Sequence, residues 1–231
     1  MAMTPSRFGG FLTAAIALLA GGACSGASQG SVQAAPAPQP ATVSPSSPAA
    51  IAQARADSAR HPYTEADIHF MSGMIGHHAQ AIEMARWAPS HGAAAAVRTL
   101  AERIINAQHD EIARMQAWLA DRQQPVPEAT SAGLRMKMNG VEHVMLMPGM
   151  LTEAQMKQLD QARGPEFDRL FLIFMIQHHR GAVSMVEKLF GSYGAGQDLV
   201  VWKFASDVNI DQTTEIARME KMLIDLVISP K

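Results

Sequence analysis

Four long stretches of the chain place an apolar residue at every third or fourth position, and each is bounded by residues that start or stop a helix. The first opens at Thr64, with Asp67 three residues on as in a capping box, and runs to about Ala88, where Pro89 ends it. Turning by about 100° per residue, this helix gathers Phe70, Met71, Met74, His77, His78, Ala81 and Ala85 on one side. Both histidines therefore flank the buried stripe. Ser90 is placed to cap a second helix reaching about Arg122, with Ile104, Ile105, Gln108, Ile112, Met115 and Leu119 facing inward, before Pro125 and Pro127 stop it. A third helix is expected from about Glu166 to Phe190 and a fourth from about Asp198 to Ile228, with Gly191, Gly194 and Gly196 crowding the turn between them. A short helix over Ala52–Arg60 precedes the His61-Pro62 interruption.

The pattern repeats. Phe70 to Met84, FMSGMIGHHAQAIEM, returns as FLIFMIQHHRGAVSM from Phe171 to Met185. In each copy a Met stands three residues before a His-His pair and another stands six residues after the second His: Met74, His77, His78 and Met84, then Met175, His178, His179 and Met185. Asp67 and Asp168, Phe70 and Phe171, Ile75 and Ile176, and Ala81 and Ala182 share the same spacing. Gln108-x-x-Glu111-Ile112-Ala113-Arg114-Met115 returns as Gln212-x-x-Glu215-Ile216-Ala217-Arg218-Met219, at a spacing three residues longer. Two helical hairpins are thus repeated, the second with the longer connection.

Between the hairpins, residues 123–164 contain VPEATSAG and a run with Met136, Met138, Met145, Met147 and Met150. Thr152 with Gln155 forms a capping box for a short helix to about Ala162, followed by a Gly164-Pro165 break. Roughly forty residues is long for a plain loop and suits a crossover connection. The expected fold class is all-α: a ferritin-like four-helix bundle made of the two repeated hairpins with a long crossover.

Ahead of the bundle, Met1 to Arg7 carries one positive charge, Phe11 to Ala20 is apolar, and small residues follow. This pattern predicts a secretory signal, since a permanent membrane span needs about twenty apolar residues. Cys24 directly after the run resembles the lipidated Cys of a bacterial lipoprotein signal; Gly21 stands where that pattern prefers Leu, and ordinary cleavage nearby is the alternative. Both predict export, to the periplasm or to a lipid-anchored place in the cell envelope. Residues 1–24 are read as the signal, 25–62 as an Ala/Pro/Ser linker with a short lead-in, and 63–231 as the bundle domain.

A net charge of −2 with no basic block gives no reason to propose nucleic acid. The one Cys lies outside the bundle, which leaves that domain no internal disulfide and no thiolate metal site. Sixteen Met and nine His against 6% aromatic residues are the unusual feature, because Met is otherwise a sparing gap-filler in cores.

Each His-His pair lies near the centre of its helix, and midpoints of packed helices lie level whichever way the helices run. The pairs can therefore face each other across the bundle. Imidazole together with thioether, without thiolate, suits a soft or borderline ion, copper first and silver as its mimic. The candidate metal set is Met74, His77, His78, Met84, Met175, His178, His179 and Met185, with Met115 and Met219 approaching from the second and fourth helices. Neighbouring His side chains diverge by about 100°, so one of each pair is expected to meet the ion while the other contacts the partner helix through Gln108, Glu111, Gln212 or Glu215. His61, His69, His91, His109 and His143 lack repeat partners and default to surface roles.

The segments MPGMLTEAQMKQLDQARGPEFDRLFLIFMIQHHRGAVSM, from Met147 to Met185, and DIHFMSGMIGHHAQAIEMA resemble the bacterial secreted proteins grouped as domain-of-unknown-function family 305, over about Tyr63 to Leu226. The resemblance implies a ferritin-like helical bundle. Because that family includes a periplasmic copper metallochaperone, it also implies a secreted copper-binding or copper-tolerance role carried by Met74, His77, His78, Met84, Met175, His178, His179 and Met185; the leading expectation is copper sequestration or delivery without enzyme chemistry, with a copper-handling envelope protein as a candidate partner. Two other functions stay open. One is a structural or interaction bundle whose His and Met residues are core. The other is a ferritin-like metal oxidase, disfavoured because no Glu here has a His three residues on.

Overall fold

The computed structural model describes residues 47–138 and 141–228. The secretory signal, Cys24 and most of the linker lie outside the described residues. The described chain is mostly helical: α1 Pro48–Arg60, α2 Glu65–Arg86, α3 Ala95–Asp121, α4 Glu153–Gln161, α5 Gly164–Phe190 and α6 Leu199–Ile228. Between α3 and α4 lie β1 Leu134–Met138 and β2 Val141–Met145, an antiparallel pair with Leu134 opposite Met145 and Met138 opposite Val141. This pair lies in the crossover, for which the sequence reading expected only the short helix that follows Thr152. Asn139-Gly140, the dipeptide that most favours a two-residue hairpin link, separates the strands in the sequence and was the overlooked signal.

The long helices form two antiparallel hairpins, α2 with α3 and α5 with α6, which pack together through α2 and α5. Two carboxylates tie the hairpins end to end. Asp67, which closes the capping box with Thr64 at the start of α2, also accepts the Gly196 N–H of the α5–α6 turn at 2.7 Å. Its repeat partner Asp168, at the start of α5, accepts the Ala94 N–H of the α2–α3 turn at 3.1 and 3.2 Å. The start of each inner helix thus sits at the end of the other, so α2 and α5 run antiparallel and the halves are related by an approximate two-fold. Burial raises the Asp168 pKa, with the Ala94 bond and Arg98 opposing the shift.

This tie overturns one expected cap. Ser90 donates to Trp87 O and contacts His91 instead, and α3 begins only after Ala94, with no side-chain cap of its own. Asp168, reaching across from the other hairpin, takes the place of a local cap. At the opposite end of the molecule Asp198 accepts the Val200 and Val201 N–H groups of α6, the Trp118 indole N–H and the Arg122 guanidinium, the last at 2.5 Å. Arg122 also lies over the Trp118 ring, 4.4 Å from its centroid.

Because α3 ends beside the start of α2 and α5 starts beside its end, the crossover must travel the length of the helices. It does so across α2 and α5, which leaves Met71 to His78 of α2 buried without interruption rather than along one stripe. Two glycines admit it. A Cβ on Gly73 would meet Met147 Sδ at 2.7 Å, and one on Gly181 would lie 2.0 Å from Pro148 O. The second obstacle is backbone and cannot swing aside. Gly181→Ala should therefore cost about 3 kcal/mol, near the upper end for overpacking, as read by urea denaturation. Gly76→Ala, whose nearest atoms would lie at 3.3 Å, should cost much less; equal losses would mean that the crossover yields freely.

Candidate metal centre

Helix periodicity brings His77 of α2 and His178 of α5 to the contact between the two inner helices, with ring centroids 3.8 Å apart. Their neighbours turn away toward the outer helices: His78 Nε2 lies 2.7 Å from Glu111 Oε2 on α3, and His179 Nε2 lies 2.7 Å from Glu215 Oε2 on α6. Within each pair the centroids are 6.2 and 6.3 Å apart. The result is a row across the molecule, Glu111, His78, His77, His178, His179, Glu215, whose four imidazoles are wholly buried. Gln108 and Gln212, named with the glutamates as acceptors, do not reach the imidazoles: both Gln108 amide atoms and Gln212 Oε1 have no partner.

Hydrogen bonds choose which ring nitrogens stay free. A carbonyl oxygen can only accept, so the 3.0 Å contact with Pro148 O makes His77 Nε2 the protonated nitrogen. His77 Nδ1 then keeps its lone pair, buried and unpartnered. His179 donates from Nε2 to Glu215, which leaves its Nδ1 in the same condition. The His78–Glu111 contact is close but out of line for a ring N–H bond, and neither nitrogen of His178 makes an aligned bond. Burial, then the neighbouring His78, pulls the His77 pKa down to about 3, with the Pro148 bond opposing. Burial, then His77 and His179, holds His178 well below 6.5. Both rings are neutral at pH 7, the form in which imidazole binds metal.

The methionines divide around this row. Met74, Met115 and Met185 belong to one apolar cluster, together with Met71 of α2 and Met147 and Met150 of the crossover. Met84, Met175 and Met219 belong to the other. Antiparallel packing of α2 on α5 explains the split, since it sets the N-terminal Met of each repeat beside the C-terminal Met of the other. All six are buried, but they flank the histidines on two sides instead of joining them at one level. That corrects the expectation of a single His-Met cluster. Among the described residues, no three His, Cys, Asp or Glu side chains converge on a position that could hold a metal ion.

The sequence reading missed the clamp that seals the row. Gln80 donates to Leu151 O at 3.0 Å and accepts the Leu151 N–H at 2.7 Å, while Gln177 donates to Gly149 O at 3.2 Å and accepts from Gln155 at 3.0 Å. The available signal was a broken symmetry: Gln80 and Gly181 occupy the same place in the two repeats, yet one is a long amide and the other has no side chain. A single crossover cannot obey a two-fold, so the two sites that receive it had to diverge. His91, expected at the surface, is buried; its Nε2 lies 2.9 Å from Asp160 O and pins the end of α4 to the α2–α3 turn.

A family model described as a domain of unknown function, DUF305, matches residues 67–223. A DUF305 protein from Streptomyces coelicolor, described as secreted, has 31% identity and a TM-score of 0.57, over 69% of this chain and 93% of that one. A DUF305 fragment from Deinococcus radiodurans has 28% identity and a TM-score of 0.57, over 70% and 97%. CopM in its Cu(I)-bound form has 27% identity and a TM-score of 0.52, over 69% and 96%, and CopM has also been solved with Cu(II) and with silver. No curated protein matches the chain. With the matched region spanning both repeated hairpins and the row of histidines between them, the chain belongs to the DUF305 family.

Proposed function

We propose that this protein binds a soft copper-group ion, Cu(I) with Ag(I) as its mimic, at the His77–His178 contact, and sequesters or passes on that ion outside the cytoplasm without catalysing a reaction. The observation that carries the proposal is the pair of touching, buried imidazoles whose free ring nitrogens have no partner in the protein. Such atoms are rare in folded proteins because each costs about 1–3 kcal/mol, and a ligand that accepts their lone pairs relieves the cost. Pro148 O holds the His77 proton on Nε2, the kind of backbone contact that orients a metal-binding imidazole. Neutral imidazole is a donor that suits copper, and the flanking methionines wall the row within the two apolar clusters without being counted among its ligands. Likeness to CopM, with its copper and silver forms, supports the same ion class. His78 and His179, engaged by Glu111 and Glu215, would position the row from either side.

Anaerobic titration of the purified chain with Cu(I), and with Ag(I) in chloride-free buffer, tests this. Metal should co-elute on gel filtration, and the melting temperature should rise, since a ligand held only by the folded state adds about 2.7 kcal/mol at one hundred times its Kd. A metal-free bundle is the competing reading, favoured by the full burial of Met74, Met84, Met115, Met175 and Met219 within apolar clusters. It predicts no co-eluting metal and an unmoved melting temperature.

A further inference from the structure

The row of imidazoles is closed on one side and approached on another. On the crossover side Pro148 O caps His77, and the Gln80–Leu151 pair of hydrogen bonds locks the strap down. Between α3 and α6 there is instead a cleft of about 210 Å³ lined by Asp110, Glu111, Arg114, Asp207, Ile210 and Asp211, with Ala107. Glu111 belongs to both places: it lines the cleft, and its Oε2 stands 2.7 Å from His78 Nε2. We infer, on the assumption that the protein binds the ion proposed above, that the metal cation reaches the imidazole row through this acidic cleft, with Glu111 as the last oxygen contact before His78.

Three observations carry the inference. First, the lining holds four carboxylates against one guanidinium; Lys203 engages Asp207 at 2.7 Å, which leaves Asp110, Glu111 and Asp211 to set the sign. Second, burial and then the nearby Glu111, Asp207 and Glu215 raise the Asp211 pKa, so these carboxylates share one field. Third, Glu111, which lines the cleft, has a buried Oε2 that is out of hydrogen-bonding line, and Gln108 and Gln212, on the same two helices, carry buried amide atoms without partners. A negatively charged cleft with low-dielectric walls concentrates cations, and such focusing accelerates association by about tenfold or more. The carboxylates steer; the imidazoles hold.

The test is stopped-flow loading of the full chain with silver nitrate, with bound silver counted after gel filtration. Asp110 and Asp211 are exposed, so Asp110→Asn with Asp211→Asn should fold normally, and Ile210→Lys adds a cation at a position that is 63% exposed. Either change should slow association about tenfold at low ionic strength, flatten its salt dependence and leave the silver count unchanged, while Glu220→Gln, remote from the cleft, should load like the parent. Unchanged rates in the double variant and in Ile210→Lys, with full silver counts, would overturn the inference and leave the binding proposal intact. If the parent protein takes up no silver, the binding proposal itself fails, and this inference with it.

Discussion

Replacing His77 and His178 together by Leu should abolish soft-metal binding and at the same time make the metal-free protein more stable. Both effects have one cause. The two rings occupy wholly buried space and present nitrogens that nothing in the protein satisfies, so at pH 7 each contributes an unmet polar cost of about 1–3 kcal/mol. Leu fills a similar volume without that cost, although losing the His77–Pro148 bond offsets part of the gain. The expected result is a denaturation midpoint equal to or above that of the parent, with no silver or Cu(I) retained. A variant that binds metal normally would move the site elsewhere. One that loses several kcal/mol would show that the imidazoles are structural, as in a metal-free bundle. The same replacement at His78 and His179 should destabilise, because it would strand Glu111 and Glu215 beside an apolar surface.

Acid should unfold the metal-free protein well above the pH at which carboxylates protonate. The unfolded chain takes up a proton at each histidine near pH 6.5, whereas folded His77 does so only near pH 3 and folded His178 well below 6.5. Across that window the unfolded state binds more protons, so stability declines as pH falls below about 6.5, by about 1.4 kcal/mol per pH unit for His77 down to about pH 3, with a contribution of the same sign from His178. Above pH 6.5 these two groups contribute no slope. Urea midpoints measured from pH 8 to pH 4 should be flat and then fall steeply in the parent, and fall much less in the His77→Leu, His178→Leu protein. Parallel curves would refute the burial argument. Bound metal should delay the fall by holding both rings unprotonated, until protons compete the ion away.

Much of the site could be read along the chain because it depends on helix geometry alone. The 3.6-residue turn places Met74, His77 and Ala81 on one face, and an internal repeat that keeps this face in both halves predicts that the two faces meet. Divergence of adjacent side chains predicts that only one histidine of each pair reaches the other half. In the structure that residue is His77 or His178, and the remaining two find Glu111 and Glu215. The choice of glutamate over Gln108 and Gln212 was not legible, since residues one helical turn apart differ only in height along the partner helix. Height is set where the helices are tied, at Asp67 with Gly196 and Asp168 with Ala94, and those ties join residues more than seventy positions apart in the sequence.

By itself the sequence determined the helices, their caps at Thr64 and Thr152, the twofold repetition and the inward turn of the histidines, because each follows from spacing within a single helix. Only the tertiary structure decided that α2 and α5 run antiparallel, that the methionines separate into two clusters, and that Pro148 O selects the tautomer of His77. Those outcomes belong to the crossover. It lies against Gly73, Gln80 and Gly181 through contacts between distant parts of the chain, and no periodicity within one helix encodes where another segment comes to rest.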